Sequence, residues 1–493
     1  MEEKKKKENF KYKIIAIIFL AVSIIILIPG LIFAVKNRQY NLINFVDTHM
    51  LYRFNDDLEK KVPFFLIYYS ILIVTFMLMC KYRKQIFKNT KNVIRFTIIA
   101  GAIFALMIPN ASTDIYTYIA RGRMQVVYHQ NPYYTTARDI INKNPKDYIM
   151  QDVAKCWWDE KATYGPYWEL IVRFYALFSG NSIFTAIYVY KLMIFLLFAI
   201  SVFLIYKITN NDLDIMLFAL NPFILYEYLA NAHNDFYVIF FCILAIYLFK
   251  VKNKKHLSIL SLGIATSIKY YPVLFAPFLM FYFIKDEKSI KDKIKMLAIY
   301  VIEYAATVLF PYVFYARDIN AILNPLIQQS KYNFSFQGVI YYMTNENLKV
   351  AKIVSKIIMS IFVCYYAYLF IKDFFAEKDV TFEKVAKDLV KITIYFTVIM
   401  LTNYNSWYVG WLIPFMLFEK KDKKRYYTYF ALSNLIFESG LTYRELTLLM
   451  RAQGSILILY IYFCIFILLD TFYYHNIESK DKIKEIKKKD SLK

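Results

Sequence analysis

Long apolar runs are the feature of this sequence that most limits its fold. Several of them approach or exceed the roughly 20 residues that a helix needs to cross a hydrocarbon core. Hydrophobic residues make up 59% of the 493 residues and aromatic residues 19%, a composition that argues against a single soluble domain. We therefore predict an all-α, polytopic membrane protein.

The predicted spans are placed where apolar runs end at charged residues. About 14 runs qualify. Their approximate bounds are 13–35, 62–80, 93–109, 183–207, 212–230, 236–251, 257–270, 271–285, 296–315, 350–372, 389–403, 408–418, 426–440 and 453–474. The first run is long and lacks a small-residue cleavage site before Lys36, so we interpret it as a retained anchor and not a signal peptide.

The excess of positive charge indicates topology. The formal net charge is +23, but the lysines cluster at span ends and tails and do not form a stripe on a soluble module, so we do not expect nucleic acid as a partner. The positive-inside rule places the basic segments 1–12 and 475–493 in the cytoplasm, on either side of an integral domain at 13–474. The expected partners include membrane lipids.

The same rule places loops 36–61, 110–166 and 316–349 outside, and none of them contains a dense basic cluster. The apolar segment Tyr167–Ser179 is only about 13 residues long, too short to cross. We predict that it forms an interfacial or re-entrant helix that closes a large outer loop, 110–182.

One carboxylate in this loop is set among arginines and aromatic residues. If the stretch is helical, Asp114, Tyr118 and Arg121 share one face because they are four and three residues apart, and Arg123 lies off that face. The Asn131-Pro132 pair then ends the helix. The spacing is equally compatible with Ser112, Thr113 or Asp114 as a simple helix N-cap.

Two further polar segments interrupt apolar runs. His233, Asn234 and Asp235 follow one run, and ionisable residues at span ends are functional candidates by default. Lys269 lies between two apolar stretches, where an ammonium without an anion is costly, and a phosphate would satisfy it. The alternatives are a His233–Asp235 cap pair and a lysine that snorkels to the interface.

In order along the chain, these motifs resemble those of the multi-spanning GT-C glycosyltransferases, in particular the polyprenyl- or dolichyl-phosphate-mannose-dependent mannosyltransferases. The motifs are Asp-x-Tyr-x-Tyr with Arg-Gly-Arg at 114–123, Asn-Pro-Tyr at 131–133, Tyr-Gly-Pro at 164–166, His-Asn-Asp at 233–235 and Lys-Tyr-Tyr-Pro at 269–272, with a weaker echo at 405–411. The resemblance implies a many-helix membrane body, amphipathic helices in an outer loop and a catalytic aspartate at the outer face, which Asp114 matches. Many members carry this acid in the first outer loop, whereas two further spans precede it here. Asp47 is therefore a rival base.

A sugar on a lipid phosphate already has an activated anomeric carbon, so transfer requires a base for the acceptor hydroxyl and cations for the leaving phosphate. We predict Asp114 as the base, with Lys269 and either Arg121 or Arg123 on the phosphate. The other residues expected at the substrate site are Tyr118, Asn131, Tyr133, Tyr164, His233, Asn234, Asp235, Trp407 and Tyr408. The rings at 133, 164, 407 and 408 are candidate stacking walls, although packing or an interfacial belt explains any one ring in a chain with 46 Tyr and 44 Phe.

The predicted reaction is transfer of a single sugar, with mannose the leading candidate, from a polyprenyl phosphate to a glycan or lipid acceptor outside the plasma membrane. No cofactor is predicted, since the sequence has neither a Cys/His zinc spacing nor a Gly-rich nucleotide loop. A divalent metal shared by Asp114 and Asp235 stays open. So do two other functions: a transporter or flippase of lipid-linked sugars, and a surface-polysaccharide polymerase or ligase that would use a diphosphate-linked oligosaccharide.

Overall fold

The structure is a computed structural model that describes residues 2–36, 58–109, 112–153, 155–328, 336–376, 380–401 and 405–418. Within these ranges the chain is helical and has no β-strand. The predicted all-α class is therefore confirmed for the described part of the chain. Asp47 and the predicted spans 426–440 and 453–474 lie outside the described residues.

The helices are numbered here in chain order. The helices up to the outer loop are α1 Glu2–Lys36, α2 Leu58–Lys81, α3 Arg83–Ile86 and α4 Thr90–Leu106. The outer loop contributes α5 Asp114–Val126, α6 Ala137–Lys143, α7 Tyr148–Gln151 and α8 Pro166–Ser179. The remaining α-helices are α9 Ile183–Thr209, α10 Asp212–Ala219, α11 Asp235–Lys250, α12 Lys255–Ile268, α13 Ala276–Ile284, α14 Ile290–Leu309, α15 Asn320–Gln328, α16 Phe336–Met343, α17 Leu348–Ala376, α18 Phe382–Tyr395 and α19 Ile413–Met416.

In the ranges that the structure describes, short helices of other types connect several of these elements. Two are π-helices, Ile224–Ala230 and Phe396–Met400. Four are 3-10 helices, Lys155–Trp157, Tyr271–Leu274, Phe310–Phe314 and Ser406–Leu412. The first π-helix and the last 3-10 helix both contribute to the site described below.

Four helical segments of the described chain are long and apolar enough to cross a membrane: Phe10–Ile28, Ile183–Thr209, Ile290–Phe314 and Leu348–Phe374. A fifth span results if α10 and the π-helix Ile224–Ala230, which are bent by 57°, count as one. The prediction of about 14 spans is not confirmed, because several predicted runs form helices that are too short to meet the same criteria. The runs 236–251 and 257–270, for example, become α11 with 16 residues and α12 with 14.

The predicted outer loop folds onto the rest of the protein through close helix packing. The segment predicted to form an interfacial or re-entrant helix is helical, as α8 with 14 residues. It packs against α5, where a Cβ on Gly122 would lie 2.4 Å from the carbonyl oxygen of Val172. Only glycine permits that approach. This packing fixes α5 against α8, and Asp114 at the start of α5 lies 3.5 Å from His233, which follows the π-helix.

Candidate active site

Asp114 is the first residue of α5, and its carboxylate faces the protein interior with a limited opening. Its backbone N–H donates to Ser112 Oγ at 3.2 Å. The N-cap residue is Thr113, whose side chain makes no capping hydrogen bond. The Asp114 carboxylate instead contacts Tyr118 and His233, and its side chain is 17% exposed. The carboxylate is thus partly accessible, and it is held by Tyr118 and His233 and not by the N-terminus of the helix.

The two neighbours of Asp114 come from different parts of the chain. Tyr118, one turn further along α5, donates its hydroxyl to Asp114 Oδ2 at 3.4 Å. His233 Nδ1 lies 3.5 Å from the same oxygen, and His233 is completely buried. Burial alone would raise the pKa of Asp114, but the hydrogen bond and charge of His233 and the charge of Lys269 hold the pKa below its ordinary value. The carboxylate is therefore ionised at neutral pH and can accept a proton.

A second carboxylate lies on the far side of the imidazole. His233 Nε2 is 3.3 Å from Glu227 Oε2, and Glu227 is itself buried in the π-helix. The indole of Trp407 stacks on the imidazole with a 3.9 Å centroid separation and a 19° interplanar angle. Both carboxylate separations are within ion-pair range and are long for hydrogen bonds. Asp114, His233 and Glu227 therefore form a line of acid, imidazole and acid behind the exposed carboxylate.

Lys269 is paired with Asp235 and surrounded by aromatic rings. Its Nζ lies 2.8 and 2.9 Å from the two carboxylate oxygens of Asp235, and Trp411 donates its indole N–H to one of them. The ammonium also lies over the rings of Tyr164 at 5.3 Å and Tyr408 at 4.8 Å. The anion that a buried lysine requires is thus supplied by the protein.

Tyr164 connects these two groups of charges. Its hydroxyl is 3.5 Å from that of Tyr118. Both Lys269 Nζ and the guanidinium carbon of Arg121 lie over its ring, at 5.3 and 5.6 Å from the centroid. Gly165 follows it directly and donates its N–H to the Ile268 carbonyl at 3.1 Å. The Tyr-Gly-Pro segment is therefore fixed against the end of α12, beside Lys269.

Comparison with known proteins identifies the family. A family model described as alpha-(1->6)-mannopyranosyltransferase, N-terminal domain, matches residues 19–285, which is more than half of the chain. The chain belongs to this mannopyranosyltransferase family. No curated protein and no solved structure gives a significant match.

The match covers most of the site. Asp114, Glu227, His233, Asp235 and Lys269 all lie inside the matched stretch of the mannopyranosyltransferase family. The 3-10 helix Ser406–Leu412, which supplies the stacked aromatic rings, lies beyond it. Membership supports the predicted GT-C-like mannosyltransferase assignment and makes the chain a membrane-type glycosyltransferase.

The two arginines predicted for the donor phosphate occupy different environments in this mannopyranosyltransferase-family protein. Arg121 is buried, donates to the Lys161 carbonyl at 2.8 Å and lies 3.7 Å from Glu169 Oε1. Arg123 lies 2.7 Å from Asp147 Oδ2 and also binds the end of α8 through the Gly180 carbonyl. Because Arg121 is seven residues from Asp114, it lies on the same helix face about 10 Å away, whereas Arg123 projects from the opposite face.

Asn131 and Tyr133 hold the outer loop in place. The Asn131 amide donates to the Tyr315 carbonyl at 2.7 Å, and its oxygen accepts the Tyr133 N–H at 3.0 Å. The Tyr133 hydroxyl then donates to the Tyr164 carbonyl at 2.8 Å, and Tyr133 is buried. Asn131 and Tyr133 are therefore linked by hydrogen bonds to Tyr164, whose ring contacts the charged groups.

The remaining predicted residues surround His233 and Lys269. Tyr408 stacks on Trp411 at 4.4 Å, next to the ammonium of Lys269. Asn234 is completely buried, and its amide has no hydrogen-bond partner in the part of the chain that the structure describes.

Among the described residues, no group of three or more His, Cys, Asp or Glu side chains is arranged to hold a metal ion.

Two residues of the site were not predicted from the sequence. Glu227 faces His233, and Lys191 of α9 donates to the carbonyls of Leu229 and Ala230 at the end of the π-helix. Each is a charged residue inside an apolar run. That is the general signal of a functional residue in a span, and it would have identified both.

Proposed function

We propose that this protein transfers a single mannose from a polyprenyl-phosphate donor to a glycan or lipid acceptor, with Asp114 as the general base. The observation that carries this proposal is the position of Asp114. It is the partly exposed end of an otherwise buried line of acid and imidazole groups, and its lowered pKa keeps it ionised, as a general base must be. Family membership favours sugar transfer over transport of a lipid-linked sugar.

The bond changes need few groups. The acceptor hydroxyl gives its proton to a carboxylate oxygen of Asp114 while its oxygen forms a bond to the anomeric carbon. The bond between that carbon and the phosphate oxygen breaks, and the lipid phosphate leaves with the electron pair. A nearby cation stabilises the charge that develops on the leaving group.

Lys269 is our proposed phosphate contact, with Arg121 as the second cation. Lys269 carries three N–H donors and retains 9% side-chain exposure while it is paired with Asp235. Arg121 is favoured over Arg123 because Arg121 and Lys269 share the ring of Tyr164. Tyr164, Trp407 and Tyr408 are the proposed walls of the sugar site, since their rings lie next to these charged groups.

The proposed topology follows from the charge pattern. We propose about 14 spans, termini in the cytoplasm and an active site at the outer face of the plasma membrane, since the basic segments alternate with loops that lack dense basic clusters. Cysteine-accessibility labelling at Tyr148, which is 68% exposed in the same predicted outer loop as Asp114, tests this. Labelling only from the cytoplasmic side would contradict the proposed site.

The decisive experiment replaces the carboxylate. Membranes that contain Asp114→Asn are incubated with polyprenyl-phosphate mannose labelled in the sugar, and transferred label is measured at matched expression. Loss of the base is expected to lower turnover about 100-fold or more. Asp159→Asn is the matched control, because Asp159 lies in the same outer loop, is 67% exposed and pairs with Arg138. Near-normal turnover by Asp114→Asn would remove Asp114 from the base role.

Asp47→Asn decides between the two candidate bases. We expect it to transfer mannose at a rate close to the unmodified protein. If it abolishes transfer while Asp114→Asn does not, the base is Asp47, and the catalytic aspartate of the family corresponds to Asp47 and not to Asp114.

A labelled oligosaccharide linked to a lipid diphosphate tests the alternative donor. Its use in place of the monophosphate donor would indicate a polymerase or ligase.

A further inference from the structure

We propose that Glu227 is a positioning residue that acts through His233: it holds the imidazole doubly protonated between two carboxylates and so fixes Asp114 for the transfer. This inference rests on the proposed function of Asp114. It assigns a role to a buried acid that no motif of the sequence identified. Three contacts around the imidazole and the helix that presents Glu227 support this role.

A carboxylate next to each ring nitrogen favours an imidazole that carries a hydrogen on both nitrogens. His233 Nδ1 lies 3.5 Å from Asp114, and Nε2 lies 3.3 Å from Glu227. In a neutral imidazole only one nitrogen is a donor, so one carboxylate would face a lone pair. In an imidazolium both nitrogens donate, and the single positive charge lies between two negative ones. The geometry therefore fits the imidazolium.

The other charged and titratable groups around this line support the same form. Lys269 and Asp235 neutralise each other on the adjacent elements. The Tyr118 hydroxyl donates to Asp114 and does not compete for the imidazole. The Trp407 indole stacked on the ring favours a cation. Burial lowers the pKa of His233, but the contacts with Asp114 and Glu227 outweigh burial and raise the pKa to about 9.

The π-helix explains why Glu227 can reach the imidazole. A π-turn accommodates one residue more than an α-turn, and here the Asn231 N–H donates to the Tyr226 carbonyl, five residues back. The His233 N–H also approaches the Glu227 carbonyl at 3.4 Å. Lys191 binds the carbonyls of Leu229 and Ala230. The backbone between Glu227 and His233 is thus fixed at both ends.

The first test measures the protonation of His233 without using activity. The chain has five histidines, so ¹⁵N-histidine-labelled protein in nanodiscs gives few imidazole signals, and His233→Gln identifies the one from residue 233. We expect an imidazolium at pH 7 in the unmodified protein and a neutral ring at pH 7 in Glu227→Gln. A neutral ring in the unmodified protein, or an unchanged imidazolium in Glu227→Gln, would overturn the proposal.

A matched control uses the second His–Glu pair of the chain. His256 Nδ1 lies 2.8 Å from Glu303 Oε1, and the His256 side chain is 53% exposed. Glu303→Gln removes the same type of contact away from the site. It should leave the His233 signal and mannose transfer unchanged. Size-exclusion chromatography of each variant checks that it is inserted and folded.

The second test measures transfer against pH. In Glu227→Gln the imidazole loses its proton at a lower pH. The alkaline decline of kcat should therefore begin about one pH unit or more lower than in the unmodified protein. At a fixed pH within that decline, kcat should be about tenfold lower than that of the unmodified protein. In a protein that already carries His233→Gln, Glu227→Gln should lower kcat by less than about a further twofold, since the two residues act as a unit. A uniform loss at every pH, or fully additive effects, would indicate a merely structural role.

The two proposals can fail separately. If Asp114→Asn transfers mannose normally, the proposed base is wrong, yet the NMR measurement still reports whether Glu227 keeps His233 protonated. If Asp114→Asn is inactive while Glu227→Gln shows the profile and the imidazole signal of the unmodified protein, only the positioning role is lost.

Discussion

The ammonium of Lys269 lies 2.8 and 2.9 Å from the two carboxylate oxygens of Asp235, and both side chains are buried. Breaking such a pair leaves one unpaired charge in a site that is largely shielded from water. A donor phosphate would approach a lysine whose charge is already balanced. The pair therefore has two separable consequences, for stability and for donor use.

The first prediction separates these consequences. Lys269→Ala leaves Asp235 as an unpaired buried carboxylate and should destabilise the protein by about 3–5 kcal/mol. The double variant Lys269→Ala/Asp235→Asn removes both charges, so much of the stability should return while the KM for polyprenyl-phosphate mannose stays raised. Thermal unfolding in nanodiscs and donor titration measure the two effects. An unchanged donor KM in the double variant would exclude Lys269 as a phosphate contact.

The sequence allowed correct inferences about local geometry and fewer about contacts across the chain. The spacing of Asp114, Tyr118 and Arg121 places them on one face of α5, and the contact between Tyr118 and Asp114 is observed. The break after α5 is present too, since the helix ends at Val126, shortly before Asn131. These predictions depend only on the periodicity of a helix and on the conformational limits of proline.

The periodicity of the sequence could not predict contacts that depend on irregular helices. Glu227 faces His233 because a π-helix changes the register by one residue per turn, and nothing in the run of apolar residues indicates that change. The anion for Lys269 is Asp235, from a neighbouring helix, where the sequence suggested a phosphate. Trp407 reaches His233 from a 3-10 helix far along the chain. Such contacts require the tertiary arrangement of the helices.

The second prediction concerns the contact between two motifs. A Cβ on Gly165 would lie 2.1 Å from the Ser267 carbonyl oxygen, which is backbone and cannot rotate away. Gly165→Ala should therefore push α8 from the end of α12 and cost about 1–3 kcal/mol. Transfer should fall with it, because Tyr164 moves relative to Lys269. Leu177→Ala on the exposed face of α8 is the control, with an expected change within about 0.5 kcal/mol. A fully stable, active Gly165→Ala would contradict this packing.

The third prediction distinguishes the two arginines of α5. Arg121→Gln removes the cation next to Tyr164 and should weaken donor use, seen as a higher KM for the lipid-phosphate donor. Arg123→Gln releases Asp147 and the Gly180 carbonyl, so it should loosen the outer loop and leave the donor KM within about twofold. Donor kinetics and limited proteolysis of the outer loop measure the two outcomes. The reverse pattern would assign the phosphate contact to Arg123.

The fourth prediction is a pH dependence of stability that originates at Glu169. Burial raises the pKa of Glu169 from its ordinary value of 4.5 to about 7, although the charge of Arg121 opposes the rise. Between these two values the folded protein binds more protons at this site than the unfolded chain, so stability must fall as the pH rises. The slope is at most about 1.4 kcal/mol per pH unit. Thermal unfolding between pH 5 and pH 8 should show the decline, and Glu169→Gln should abolish this part of it. A variant that keeps the full slope would show that another group is responsible.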